Sequence, residues 1–253
     1  GALCLLPFDI YQGSSLDTII ALSNAGVERI VAMLTSNGAA LHELAAIDYA
    51  IDRDPASSNA TLALAGTAGD SVPFDEVAAR FDELHIGDGL PCVPPTAVRY
   101  ARTREFCPFD PTEVIMQGIG PSGAPVTVRD ALIAAVMAGC KPEYVPVVLA
   151  AVRAIARPAY GLLQAVTTSF AGGHFVLASG PLAGEIGMHG GQGCLGPGFR
   201  ANATIGRAIN LLMLNVCRAV PGHADLACLS SPAEYSYCMA EDASLSPWLP
   251  MNV

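Results

Sequence analysis

The chain has 253 residues, a net charge of −10, 52% apolar residues and only 14% charged residues. That length allows one or two domains with a sizeable core. Thirteen scattered Lys and Arg residues exclude a nucleic-acid backbone as partner, because phosphate neutralisation needs clustered cations. The high apolar fraction predicts a surface partly covered by another subunit, in a homo-oligomer or beside a different chain.

Residues 1–72 alternate between two periods. "ALCLLPF", "VERIVAML" and "ATLALAG" read as buried strands. Between them lie two helices, "SSLDTIIALSNAG", with Ser14 or Ser15 at its start and Gly26 at its end, and "NGAALHELAAIDYAI". This order predicts a parallel βαβαβ unit, and the fold class is α/β. Neither "PFDIYQGSS" nor "TSNGAA" is a dinucleotide fingerprint, so no cofactor is expected. The stretch "TAGDSVP" marks a boundary, and residues 73–253 form a second, larger mixed α/β domain.

In that second part, "FDEVAARFDEL" reads as a helix and "HIGDGLPCVPPT" as an extended loop, since its prolines cannot continue a helix. "RTREFCPFDPTEV" reads as loop. "TVRDALIAAVMAG" is a helix with capping-box spacing at Thr127 and Asp130 and a terminating Gly139. "KPEYVPVVLAAVRAIA" is a second helix and "GHFVLASG" a buried strand. From Ala201 to Val216, Ile205, Ile209, Leu212, Met213 and Val216 define one helical face, and Arg200, Thr204 and Arg207 define a stripe opposite.

No apolar run approaches the roughly 18–20 residues of a membrane helix, and the opening "GALCLLPF" lacks a basic segment. A cytoplasmic location without membrane attachment is expected. The eight cysteines are irregularly spaced with no CxxC pair, which predicts reduced, mostly buried thiols and no structural metal site. His85 with Asp88, and His189 with Cys194, offer pairs, but no spacing demands a metal.

The glycine-rich run "GCLGPGFRANATIGRA" carries the sharpest functional signal. Gly196 and Gly198 let the backbone approach a ligand, and a helix start offers free N–H groups. With Arg200, Asn202, Thr204 and Arg207 they make a site for a carboxylate or small phosphate. The bland alternative is that Arg200 and Arg207 pair with carboxylates such as Glu185, Glu241 or Asp242. Cys140 or Cys194 are the candidate nucleophiles, and Asp88 or His189 the candidate proton acceptors. Cys140 follows a helix C-terminus, where the dipole opposes a thiolate unless the turn at Pro142 or Lys141 compensates. Asp88 in "GDGL" is equally a turn residue. Glu241 is a further carboxylate candidate, although it and Asp242 point apart on a strand. His174 is expected to serve the core or a cap.

"GDGLPCVPPT", "AVMAGCKPEYVPVVLAAVRA", "GPGFRANATIGRAINLLMLN" and "SPAEYSYCMAEDASLSPW" occur in this order. That set resembles a bacterial group of poorly characterised proteins related to the UGSC-like families, over about residues 74–250 and more weakly over 1–70. In those families a Cys-Gly-Ser-Cys or selenocysteine-Gly-Ser-Cys domain accompanies the second one. Here the corresponding residues are Gln12, Gly13, Ser14 and Ser15, so the resemblance implies that dithiol or selenol chemistry is absent. The family-typical positions it carries over are Asp88, Cys140, Arg200, Asn202, Thr204, Arg207 and Glu241, whereas His189 and Cys194 belong to this chain alone. Residues and resemblance together lead to the expectation of a non-redox hydrolase, lyase or cyclase acting on a small organic anion. The alternative is a non-catalytic subunit or binding protein that completes a partner's pocket.

Overall fold

The computed structural model describes residues 74–170 and 172–253. The expected βαβαβ unit, its Gln-Gly-Ser-Ser segment and the 72/73 boundary lie outside the described residues. The described part combines helices with two small two-stranded sheets.

Helix α1 (Phe74–Glu83) buries Val77 and Phe81. An extended loop leads to α2 (Ala97–Arg104), whose N-cap Thr96 accepts from the Arg99 N–H. Strand β1 (Val114–Met116) pairs antiparallel with β2 (Val126–Thr127). Helix α3 (Val128–Ala138) starts on the expected capping box, with both reciprocal Thr127–Asp130 hydrogen bonds formed, and ends on Gly139 at φ 86°. A 3₁₀ turn (Pro142–Tyr144) precedes α4 (Val145–Ile155), and another (Pro158–Tyr160) precedes α5 (Leu162–Val166). Strand β3 (Val176–Ala178) and the short α6 (Pro181–Glu185) follow. The long α7 spans Arg200–Asn215, and β4 (Cys238–Ala240) pairs parallel with β3.

Two expectations need correction. Residues 102–104, read as loop, close helix α2. Strand β3, read as buried, is half-buried at all three positions, where its one neighbour among the described residues is β4.

The core forms around α7 lying along α3, with α4 and β4 packed beside them. Ile205, Ile209, Leu211 and Leu212 of α7 and Val128, Ala131, Leu132 and Ala135 of α3 are essentially inaccessible. Alanines on both helices allow a close approach that larger side chains would block. Gly206 takes this further: a Cβ there would stand 2.4 Å from Ser236 Oγ and 2.9 Å from the Tyr237 amide nitrogen. The segment entering β4 therefore runs directly against α7, which fixes where β4 and the residues after it can lie.

This contact gives a prediction. Gly206→Ala forces helix and strand apart and should lower stability by about 1–3 kcal/mol. Gly184→Ala, whose added methyl meets nothing within 4 Å, should be neutral or slightly stabilising. Urea denaturation of both variants checks the contrast, and equal effects would mean that the Gly206 contact carries no constraint.

Candidate functional site

The polar stripe of α7 forms as expected, but its partners come from far away in the chain. Arg207 Nε donates to Asp88 Oδ2 at 2.7 Å and Nη2 donates to Asp88 Oδ1 at 2.8 Å. The same guanidinium donates to the carbonyls of Leu90 and Pro91 and contacts Cys92 Sγ. Gly87 and Gly89 hold Asp88 in a tight turn with positive φ of 118° and 81°, and Asp88 Oδ1 also accepts from the Leu90 N–H. The Gly87 N–H donates to Asn215 Oδ1, and the Val93 N–H donates to the Met137 carbonyl. The loop from 87 to 93 is thus laced along α7 and α3. Both Asp88 carboxylate oxygens are occupied, so the geometry makes Asp88 a clamp on Arg207.

Arg200 lies one turn from Thr204 on the same stripe. Its Nε and Nη2 both donate to the Gly139 carbonyl, at 3.1 and 2.9 Å, which caps the C-terminus of α3. Neither arginine pairs with Glu185, Glu241 or Asp242, so that expectation is replaced by Asp88 for Arg207 and by a backbone carbonyl for Arg200. Thr204 Oγ1 bonds back to the Arg200 carbonyl, and the Thr204 carbonyl accepts from the Cys140 thiol at 3.3 Å. Burial pushes the Cys140 thiol up to about 12, against smaller opposing contributions from the Thr204 hydrogen bond and from Arg200. Desolvation is the main cause. Lys141 offers no help, since its ammonium faces Glu143. At neutral pH Cys140 is a protonated thiol that donates a hydrogen bond.

The other side of the helix start holds a second group. Asn202, buried at the first turn, accepts from the His189 N–H through Oδ1 and donates through Nδ2 to the carbonyls of His189 and Cys194. Its amide pins the glycine-rich loop onto α7. The His189 ring stacks on Phe199, centroids 4.0 Å apart, and its Nε2 faces the Gln192 carbonyl at 3.1 Å. A carbonyl partner requires the proton on Nε2, which leaves Nδ1 as a lone-pair acceptor. Nδ1 makes no hydrogen bond among the described residues. Cys194 Sγ points to Met239 Sδ at 3.6 Å, so the structure does not form the expected Cys194–His189 pair.

Helix α7 has no side-chain N-cap: Phe199 occupies that position after Gly198 at φ 115°. The first amide bonded to the preceding loop is Ala203, which donates to the Phe199 carbonyl. The N–H groups of Arg200, Ala201 and Asn202 have no acceptor among the described residues, although Ala201 and Asn202 are buried. Gly196 closes the loop by a hydrogen bond to the Gly193 carbonyl.

The Glu241 carboxylate is engaged outside this cluster, although the Ala240 N–H beside it donates to the His189 carbonyl. Glu241 sits just past β4, where its amide donates to the Ala178 carbonyl, and its carboxylate accepts from Ser179 Oγ and the Met251 N–H. This anchors the segment 251–252 to the sheet. Among the described residues no group of three or more His, Cys, Asp or Glu could hold a metal ion, and no helix is long and apolar enough to cross a membrane.

The Asp88–Arg207 pair is mostly shielded, with side chains 12% and 15% exposed. Removing one partner leaves the other without its counter-charge. Arg207→Ala and Asp88→Ala should each cost roughly 3 kcal/mol, and the double variant clearly less than their sum. Denaturant titration of all four proteins checks this, and additive losses would contradict the clamp. Alkylation gives an independent check. Cys228, which is exposed, should react with iodoacetamide in the native protein, while Cys140 and Cys238, both pushed up to about 12 by burial, should react only after unfolding.

No protein-family model, curated protein or solved structure matches the chain.

Proposed function

We propose that the protein is an enzyme acting on a small organic anion, a carboxylate or thioester, bound where the glycine-rich loop enters α7. The observation that carries this reading is the set of three consecutive backbone N–H groups, Arg200 to Asn202, that start a 16-residue helix with no cap and no acceptor among the described residues. Buried amides in native proteins find partners, and a positive helix end is a ready site for an anion. Arg200 adds charge beside them through the Nη1 edge that it does not use on Gly139.

His189 supplies the acid–base group. Its ring stacks on that of Phe199, the residue preceding the three amides, and Nδ1 has no partner among the described residues. In this reading Nδ1 takes a proton from the substrate or from water, and the amides hold the negative oxygen that develops. That is the equipment of a non-redox hydrolase, lyase or cyclase. Asn202, Arg207 and Asp88 act here by holding the two loops in place, and Cys140 acts as a neutral donor. The relation to the UGSC-like families, the α/β class with an N-terminal βαβαβ unit and a cytoplasmic setting belong to the same proposal.

A second reading, a subunit that completes a partner's pocket, draws on one observation. Leu245, Trp248, Leu249, Met251 and Val253 are all exposed within residues 245–253, with Trp248 79% accessible.

Thermal unfolding with a panel of small carboxylates, phosphates and thioesters tests the first reading. At least one should raise the melting temperature of the wild type, with the ligand-dependent shift lost in Arg200→Ala. His189→Gln should keep the shift and lose turnover of that ligand. If no member of the panel shifts the wild type, the anion site is wrong and the subunit reading gains.

A further inference from the structure

A sizeable opening among the described residues lies elsewhere, at no motif of the sequence. A cavity of about 440 Å³ is walled by the second 3₁₀ turn, α5 and the segment leading to β3, with Tyr160, Gln164, Thr168 and Phe170 around it. A smaller chamber of about 80 Å³ continues inward to α7 and to the residues after it, where Asn210, Met213, Asp225 and Glu234 line it. Ala165, Thr168, Gly172 and His174 belong to both. The outer volume lies in the range of small-ligand sites.

His174 stands where the chambers meet. Its side chain is more than nine-tenths buried, at 7% residue exposure. Nδ1 is 2.7 Å from the Tyr160 hydroxyl, and Nε2 has no hydrogen-bond partner among the described residues. It is also absent from the polar atoms sealed off without a partner, which are Tyr100 Oη and Arg218 Nε, so it opens on the cavity. Burial lowers the His174 pKa, which keeps the ring neutral near pH 7. Burial, together with the Asp225 carboxylate beside it, raises the Glu234 carboxyl against the opposing hydrogen bond from Ser230. Two carboxyl groups thus face one small chamber, and no Lys or Arg lines either space. The outer walls offer the aromatic rings of Tyr160 and Phe170, the latter 79% exposed.

We propose that this two-chamber cleft binds a small organic ammonium ion, its positive head in the inner chamber between His174 Nε2 and the Asp225 and Glu234 carboxyls, and its apolar or aromatic body against Tyr160 and Phe170. Each part of the ligand meets matching chemistry. The ammonium donates hydrogen bonds to the imidazole lone pair and to the carboxyls. The Tyr160 hydroxyl accepts from Nδ1–H in the tautomer that leaves Nε2 as acceptor. The aromatic faces favour a cation and an apolar chain alike. An organic anion would meet two carboxyls and no cation. Asn210 and Arg200 are ten residues apart on α7, so the cleft lies about 15 Å along the helix from the anion site and is a separate pocket.

Isothermal titration of the full chain with phenethylamine, tyramine and putrescine, and with phenethyl alcohol and phenylacetate as controls, decides it. At least one amine should bind saturably at one site. Phenethyl alcohol and phenylacetate should each bind at least about tenfold more weakly than phenethylamine or not at all. Glu234→Gln, which keeps size and shape, should weaken the amine by a similar factor, and His174→Phe should abolish it. Near-UV circular dichroism confirms that each variant is folded, and a variant that fails to fold is replaced by Asp225→Asn, which carries the same expectation. No saturable binding by any of the amines overturns the proposal, as does equal binding of phenethylamine and phenethyl alcohol, or undiminished binding by folded Glu234→Gln. None of these outcomes bears on the amides of α7, so failure here and failure of the anion site are distinguishable.

Discussion

Burial of α7 against α3 organises the described residues. A helix closed in on most sides by Ile205, Ile209, Leu211 and Leu212 leaves one narrow stripe for polar side chains. Of the two arginines on that stripe, Arg207 is covered by the loop from 87 to 93, whereas Arg200 stays exposed at the helix start. The fold brings acceptors to each. Asp88 and two carbonyls reach Arg207, and the Gly139 carbonyl reaches Arg200. The clamp on Arg207 stabilises chiefly by avoiding an uncompensated charge, and it fixes the path of the loop from 87 to 93. The bond from Arg200 joins the end of α3 to the beginning of α7.

The same constraint shapes the helix start. Asn202 has its Oδ1 taken by the His189 N–H and its Nδ2 donors by the carbonyls of His189 and Cys194. It therefore cannot cap the amides of its own turn. Phe199 has no polar atom for that task, and its ring instead carries His189. The uncapped amides and the exposed Nδ1 of His189 arise from one packing arrangement, which favours a common use for them.

Much of the local structure was legible in the sequence. The capping box at Thr127 and Asp130 and the left-handed Gly139 are patterns within a few residues, and they placed α3 to its ends. Spacing alone put Arg200, Thr204 and Arg207 on one stripe. The partners were not legible, because Asp88 is 119 positions from Arg207 and Gly139 is 61 from Arg200. Nothing in "GDGL" distinguishes a clamp from a base. Proximity of His189 and Cys194 in sequence suggested a catalytic pair, but the loop turns the thiol to Met239 instead. The cleft at His174 has no signature in the sequence for the same reason. Its walls come from separate pieces between residues 160 and 234, helical and irregular, that no local pattern brings together.

The central claim is that the first amides of α7 are an anion's resting place. Nitrogen-15 correlation spectra read those amides one by one. Titration with an anion that raises the melting temperature should move the resonances of Arg200, Ala201 and Asn202 together, with one saturation curve, and should move His189 with them. Shifts confined to other residues, with those three amides unmoved at saturation, would contradict the account.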